Sequence, residues 1–246
     1  MINILIPCMG KSLFFKDSYF PKPLIEVSGE TMMEKVVKNY EALKDARYLF
    51  VFGKSECSEF HLDESARLLT NGNCETVLLE NETAGALCTC LMAVEHINND
   101  TPLMIVNSDQ ILDVDYHQVL AHFRDADAGV ITFESIHPRW SYARIQGDEV
   151  VEVAEKRPLS KHAIAGFYYF RKGSDFIACA KRVILKDNHK DGRFYISASI
   201  NEMILEGKKV AYFAIPKTAH HSFYSPEKIK EYERQAHGGS YEDSED

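Results

Sequence analysis

The stretch "INILIPCMGKSLFFKDSYFPKP", residues 2–23, decides the predicted fold because it joins an apolar strand to a loop containing glycine and lysine. Gly10-Lys11-Ser12 is the usual ending of a phosphate-binding P-loop, but that motif needs a further glycine where Leu5 stands. Pro21-Lys22-Pro23 also prevents a long helix directly after the loop. The P-loop is therefore excluded, and what remains is a strand followed by cations that suit a polyanion: Lys11, Lys16 and Lys22.

Composition limits the classes of partner. The chain has 246 residues, 45% of them hydrophobic, which is enough for a packed globular core. A formal net charge of −9 argues against broad nucleic-acid binding, while a few local lysines still allow a small anionic substrate. The chain shows no apolar run of membrane-spanning length and no basic-flanked signal peptide. We therefore predict a soluble, cytoplasmic protein without a membrane or nucleic-acid partner.

Strand and helix patterns alternate over the first half of the chain. Apolar runs predict strands over "INILIPC", "ARYLFVFG", "ETVLLE" and "TPLMIVNSD", and helical spacing predicts helices over "TMMEKVVKNYEAL", "SEFHLDESARLL" and "GALCTCLMAVEHI". This alternation is typical of a largely parallel sheet covered on both faces. Strand-like runs with short turns dominate the second half and predict an antiparallel extension.

Domain organisation is predicted to be simple. No linker or repeat interrupts residues 1–237, which we predict to form one domain. The last residues, 238–246, are glycine-containing and acidic with nothing to bury, and are predicted to form a disordered tail.

Ligands of largely parallel α/β sheets bind at the carboxyl ends of the strands. In this chain those ends are the loop after Cys8, the stretch after Glu80, and Asn107-Ser108-Asp109.

Six blocks in a fixed order resemble the sugar nucleotidyltransferase family, also called nucleoside-diphosphate-sugar pyrophosphorylases, over residues 2–235. They are "LIPCMG", "FPKPLIEVSGETMMEKVV", "ENETAGAL", "IVNSDQI", "VVEVAEKRPLS" and "AIAGFYYFRKG". The resemblance implies a Rossmann-like three-layer α/β sandwich with a mostly parallel mixed sheet and a small antiparallel extension. It also implies Mg²⁺-dependent transfer of a nucleotide onto a phosphorylated sugar or similar small phosphate, with release of pyrophosphate, for surface polysaccharide synthesis.

The resemblance assigns a nucleotide site. Gly10 matches the loop glycine that lets phosphates approach the backbone, Lys22 the lysine that reaches the triphosphate, and Asp109 the aspartate that binds Mg²⁺. Thr83 and Gly85 match the segment that packs against the nucleobase. Purely structural alternatives stay open for each: a tight turn, a solvated loop lysine, and a helix N-terminus capped by Thr83.

An acceptor site is assigned in the same way. Glu155 and Lys156 match a Glu-Lys pair in which the glutamate contacts sugar hydroxyls and the lysine the acceptor's phosphate, and Gly166 matches a glycine lining that pocket. A structural ion pair and a site of close backbone packing are the alternatives. The residues expected to carry the chemistry are Lys22, Asp109 and Lys156.

Two departures from the family pattern bear on catalysis. The family loop usually reads Gly-x-Gly-Ser/Thr-Arg, and the run that begins at Gly10 lacks the second glycine and the arginine. Lys11, which we also assign to the nucleotide site, or Lys16 supplies only a point charge in place of that planar fork. Ser222 stands where many members have a second metal-binding aspartate, next to His220 and His221.

Other functions and assignments stay open. The departures fit a nucleotide-sugar-binding regulator without catalysis, and Asp113-x-Asp115 resembles the metal motif of glycosyltransferases, although Asp115 also suits an N-cap. The segment around Arg139 and Trp140 suits either the acceptor pocket or a turn. The resemblance implies homo-oligomers, while the nucleobase and the acceptor are not specified.

Overall fold

The computed structural model describes residues 1–9 and 13–236, and within these ranges it contains thirteen strands and nine α-helices. The predicted tail, residues 238–246, lies outside the described residues. No helix in the described part of the chain is long and apolar enough to cross a membrane. The strands are β1 Ile2–Pro7, β2 Glu26–Val27, β3 Glu30–Thr31, β4 Ala46–Gly53, β5 Cys74–Leu79, β6 Leu103–Val106, β7 Gln110–Leu112, β8 Ala128–Glu134, β9 Ser141–Gln146, β10 Glu149–Glu155, β11 His162–Phe170, β12 Val210–Ile215 and β13 His220–Ser222. The helices are α1 Met32–Asn39, α2 Lys54–Phe60, α3 Leu62–Leu69, α4 Ala86–Leu91, α5 Val94–Ile97, α6 Tyr116–His122, α7 Gly173–Leu185, α8 Ser197–Leu205 and α9 Pro226–Ala236.

Nine strands form one mixed sheet in the order β5-β4-β1-β6-β11-β8-β12-β10-β9. The neighbours from β5 to β6 are parallel, as the alternation of strands and helices predicts. Strand β11 then runs antiparallel to both β6 and β8, and β9 and β10 form an antiparallel edge. The predicted α/β fold with a mixed sheet and an antiparallel extension is confirmed.

The sheet separates two apolar layers because successive side chains of a strand point to opposite faces. Ile4 and Ile6 of β1 pack on the face covered by α1, α3 and α6, and Phe50 of β4 lies on the same face. Leu5 and Val51 point to the other face, which α4, α5, α7 and α8 cover. Both faces are buried, so these strands read as continuous apolar runs.

Local sequence signals account for the starts of α6 and α9. The Asp115 side chain accepts a hydrogen bond from the His117 N–H at the start of α6, and the Ser225 hydroxyl accepts one from Lys228 at the start of α9. The helix predicted over "SEFHLDESARLL" differs, because His61 adopts a left-handed backbone with φ of 52° and separates α2 from α3. Periodicity carries no signal for this break, since the apolar spacing continues through it.

Asn39 anchors α1 to the loop region at the carboxyl end of β6. Its amide nitrogen donates to the Leu112 carbonyl at 2.9 Å, and its amide oxygen accepts from the Leu112 N–H at 3.1 Å and the Tyr116 hydroxyl at 2.8 Å. One side chain thus satisfies both backbone groups of Leu112 in β7. This strand directly follows Asp109, so α1 helps to position the candidate site.

We expect Asn39→Ala to lower the free energy of unfolding by about 2–3 kcal/mol, because the backbone groups of Leu112 lose their partners. Asn98→Ala is the matched control, since Asn98 is exposed and its side chain makes no hydrogen bond within the described residues. Urea denaturation measures both. Equal stability of the two variants would contradict the anchoring role.

Candidate active site

The candidate site is built around Asp109, which follows the carboxyl end of β6 in the centre of the sheet. The Lys22 ammonium lies 2.6 Å from the Asp109 carboxylate, and the two side chains are 22% and 16% exposed. Lys22 begins a single 3-10 turn, Lys22–Leu24, and is flanked by Pro21 and Pro23, which limit its backbone. The structure therefore brings together two residues that the sequence assigned to one nucleotide site, and leaves both reachable from solvent.

Gly166 packs against residues on both sides of Asp109. The register of β11 against β8 shifts between Ile164 and Tyr168, and Gly166 occupies this bulge with a left-handed φ of 56°. A Cβ there would overlap the Asn107 amide and lie 2.7 Å from the Gln110 side-chain oxygen. Asn107 and Gln110 flank Asp109 in sequence, so the missing side chain sets how closely this loop packs on β11.

Strand β13 covers the other side of Asp109. The Phe223 N–H donates to the Asp109 carbonyl at 2.7 Å, and Ser222 pairs with Gln110 across the β13–β7 ladder. Ser222 is thus next to Asp109 in space, at the position where the resemblance expects a second carboxylate. A hydroxyl replaces that carboxylate here.

His220 is a half-buried neutral group in this wall. Its ring stacks on Phe133 with centroids 4.4 Å apart, and its Nε2 lies 3.4 Å from the Gln110 side-chain oxygen. Burial lowers the pKa of His220 to about 4, with His221 and Arg139 acting in the same direction and Asp109 in the opposite one. The imidazole is therefore uncharged at neutral pH.

Cys8 borders the site without being a nucleophile. Burial raises the pKa of the Cys8 thiol to about 12, although Lys22 and a hydrogen bond with Ser108 lower it. The thiolate is the reactive form of cysteine, so Cys8 is inert at neutral pH.

Glu155 and Lys156 form a second polar centre at the end of β10. The Glu155 carboxylate accepts hydrogen bonds from the Ser141 and Ser197 hydroxyls, the latter at 2.8 Å. The Lys156 ammonium donates to the Tyr195 hydroxyl at 2.8 Å, and this hydrogen bond raises the pKa of Lys156. Lys156 also has a left-handed φ of 52°, which is uncommon for a residue with a side chain. Among the described residues Glu155 and Lys156 do not pair with each other, so the ion pair that the sequence left open as a structural alternative is absent and each side chain has its own hydroxyl partners.

A cleft of about 280 Å³ adjoins this centre. Glu155 and Tyr195 line it together with two cations, Arg157 and Lys190. Carboxylate, hydroxyl and cationic groups suit a ligand that carries hydroxyls and a phosphate.

Gly85 brings the segment Thr83–Gly85 against the second polar centre through a backbone contact. Its φ is 121°, and a Cβ would lie 2.5 Å from the Phe194 carbonyl oxygen, so the segment before α8 packs directly on the start of α4. The Phe194 N–H donates to the Ala84 carbonyl at 2.7 Å. Thr83 bonds the Gly85 carbonyl at 3.0 Å and the Thr89 hydroxyl at 2.7 Å. The Thr83–Gly85 segment therefore stands next to Tyr195, the partner of Lys156.

Several assignments from sequence are resolved differently or lie elsewhere. Gly10 and Lys11 fall outside the described residues. Asp115 caps α6 and Asp113 lies 2.7 Å from the His221 ring, so both carboxylates of the Asp-x-Asp motif have structural partners. Sequence reasoning did not assign Ser141, Ser197 or Gln110, because nothing in their local pattern distinguishes them from ordinary strand and loop residues.

Asp109 is the residue of this site that could hold a metal ion. Within residues 1–9 and 13–236, no group of three His, Cys, Asp or Glu side chains is arranged to hold a metal ion. Mg²⁺ does not need such a cage, since it takes one or two protein carboxylates and completes its shell with water and substrate phosphates. The accessible Asp109 carboxylate fits that requirement as a single ligand.

The nucleotidyl transferase family model matches residues 18–219, which include Lys22, Asp109 and Lys156. The match covers most of the chain. The protein belongs to the nucleotidyl transferase family.

Individual relatives are distant. The bifunctional protein GlmU of Streptococcus agalactiae serotype V is 28% identical over 233 residues, covering 86% of this chain and 46% of that protein. This chain thus spans about half the length of the curated relatives that it matches. A nucleoside-diphosphate-sugar pyrophosphorylase from Vibrio cholerae RC9 shares the fold with a TM-score of 0.82 at 22% identity, over 94% of this chain and 100% of that one. HddC from Yersinia pseudotuberculosis, solved in complex with GMP-PN, has a TM-score of 0.66 at 15% identity, over 94% of this chain and 97% of that one.

We expect Gly166→Ala to destabilise the protein by about 3 kcal/mol or more, because backbone strain adds to overlap with Asn107 and Gln110. Gly147→Ala is the matched control: Gly147 has a similar φ of 60° but no atom within 4 Å of a built Cβ. The control should lose only about 1 kcal/mol. Chemical denaturation of both variants checks this, and equal losses would show that the contact is unimportant.

We expect stability to fall as the pH is lowered from about 6.5 to about 4, partly through His220. The folded-state pKa of about 4 lies below the ordinary 6.5, so the unfolded chain binds more protons in this window. His220→Phe should remove about 2–3 kcal/mol of the pH-dependent loss. Denaturation at several pH values in EDTA measures it, with His96→Gln as control. A pH dependence unchanged in His220→Phe would refute the assignment.

Proposed function

We propose that this protein is a Mg²⁺-dependent nucleotidyltransferase that joins a nucleoside triphosphate to a phosphorylated sugar or similar small phosphate and releases pyrophosphate. The observation that carries the proposal is the Lys22–Asp109 pair, held at 2.6 Å at the carboxyl end of the central strand β6. Parallel α/β sheets bind ligands at this edge. A partly exposed ion pair contributes little to stability, at most about 1 kcal/mol, so its presence here favours a role in binding.

The proposed chemistry needs positioning and charge rather than a nucleophilic side chain. An oxygen of the acceptor phosphate attacks the α-phosphorus in line, and the bond to the pyrophosphate leaving group breaks. Lys22 binds the triphosphate and Lys156 the acceptor phosphate, while Glu155 orients hydroxyl groups of the acceptor. Mg²⁺, held by Asp109, supplies positive charge to the phosphate oxygens when bound.

Protonation states support these roles. The hydrogen bond to Tyr195 raises the pKa of Lys156, so its ammonium stays charged at neutral pH. The thiol of Cys8 stays protonated, in agreement with a transfer that forms no covalent enzyme intermediate.

The same proposal assigns further residues to the substrates. Thr83 and Gly85 contact the nucleotide, Gly10 and Lys11 contact its phosphates, and Gly166 lies on the acceptor side.

Wider features of the proposal rest on the sequence. We infer a role in surface polysaccharide synthesis from the resemblance of the six sequence blocks alone. The single domain over residues 1–237, the cytoplasmic location and homo-oligomerisation stay predictions.

One alternative is favoured by a specific observation. Ser222 lies beside Asp109 in place of a second carboxylate, which suits a nucleotide-sugar-binding regulator with impaired catalysis. Such a protein would bind nucleotide or nucleotide sugar without releasing pyrophosphate.

We expect pyrophosphate release with Mg²⁺ for one pair among four nucleoside triphosphates and a panel of sugar 1-phosphates, phosphocholine and glycerol phosphate. Lys22→Ala and Asp109→Asn should each lower kcat/KM by about 100-fold or more, because each removes charge from the reacting phosphates. The matched controls are Lys172→Ala and Asp100→Asn, an exposed Lys–Asp pair 3.1 Å apart near the opposite end of β6. Near-normal turnover in Asp109→Asn would refute the metal assignment. No pyrophosphate release with any pair of the panel, with nucleotide binding retained, would favour the regulator.

A further inference from the structure

Arg139 is a cation of the site wall, in a segment that the sequence left open between an acceptor pocket and a turn. Its guanidinium carbon lies 3.5 Å from the centroid of the Tyr224 ring and 5.1 Å from that of Trp140. The residue is half-buried. Among the described residues, no carboxylate lies within 4.0 Å of the guanidinium and no hydrogen bond of this side chain is formed, whereas Arg144 of β9 pairs with Glu152 at 3.2 Å. The hydrogen-bond donors of Arg139 are therefore available to a ligand.

Aromatic rings hold this guanidinium without neutralising it. Cation–π contacts leave the positive charge and the N–H fork intact. Trp140 is itself fixed, because its ring lies 5.4 Å from Phe133 and 5.2 Å from His220. Its carbonyl also accepts the Lys156 N–H at 3.0 Å. Arg139 is thus preorganised by neighbours that cannot act as its counter-ions.

The position of Arg139 bridges the two polar centres. Tyr224 follows Phe223, whose N–H bonds the Asp109 carbonyl, and the Tyr224 ring meets Phe14 of the loop after β1 at 5.5 Å. On the other side, Trp140 bonds the backbone of Lys156. The Tyr224 and Trp140 rings, the aromatic clamp of Arg139, therefore connect its guanidinium to both the Asp109 and the Lys156 centres.

We infer that Arg139 binds a phosphate group of the substrates directly through its guanidinium fork. This inference rests on the proposed function, because that reaction places a triphosphate and an acceptor phosphate between Asp109 and Lys156. The chemistry is favourable, since a planar guanidinium bonds two phosphate oxygens at once and a lysine does not. Arg139 would also supply the fork that the loop after Gly10 lacks.

The test is binding of inorganic tripolyphosphate in the presence of Mg²⁺, measured by calorimetry and by fluorescence. Trp140 is the single tryptophan of the chain, so its emission reports on the clamp itself. We expect Arg139→Gln to raise the Kd at least tenfold and Arg139→Lys to recover only part of that loss. Arg47→Gln is the matched control, since Arg47 pairs with Glu75 at 2.9 Å at the opposite end of the sheet and should bind like the wild type.

Each outcome decides the inference. An unchanged Kd in folded Arg139→Gln, or a wild type that does not bind tripolyphosphate, overturns it. A loss of the same size for nucleosides without phosphates also overturns it, because Arg139 would then stack on a base. Binding that depends on Arg139 supports it even if no substrate pair releases pyrophosphate, in which case only the proposed function fails. Turnover with unchanged kcat and KM in Arg139→Gln would support the proposed function and contradict the role of Arg139.

Discussion

The packing of β11 on β6 at Gly166 is the constraint on which the site depends. The two strands are antiparallel, and Phe167 pairs with Val106 at the point where β6 ends. The bulge at Gly166 leaves room for Asn107 and Gln110 only because no Cβ is present. These residues flank Asp109, so a contact without any charge determines where the candidate metal-binding carboxylate lies.

Electrostatics at this edge differ from those of the molecule as a whole. The chain carries a formal charge of −9, yet the two polar centres and the site wall contain three cations, each held by a different kind of partner. Lys22 bonds a carboxylate, Lys156 a phenol, and Arg139 packs against aromatic rings. Only the first is neutralised by its partner. A pocket can thus attract polyphosphate inside an acidic protein, because the local field depends on nearby unpaired charges.

Sequence patterns predicted the parts of this structure that local chemistry controls. The apolar runs became β1, β4, β5 and β6, and Asp115 caps α6 as expected. The break at His61 was not predictable, because the apolar spacing of a continuous helix runs through it. The partners of Glu155 were also missed, since Ser141 and Ser197 come from other elements and carry no motif.

By itself, the sequence determined the alternation of strands and helices, the two buried faces of the sheet and the placement of Asp109 at a strand end, because these follow from periodicity and turn chemistry. The tertiary structure alone decided which side chains meet. Lys22 and Asp109 are 87 positions apart, and Arg139 meets Tyr224 from a different part of the chain. Such contacts depend on strand order and on one bulge, and the spacing of residues along a single element does not encode either.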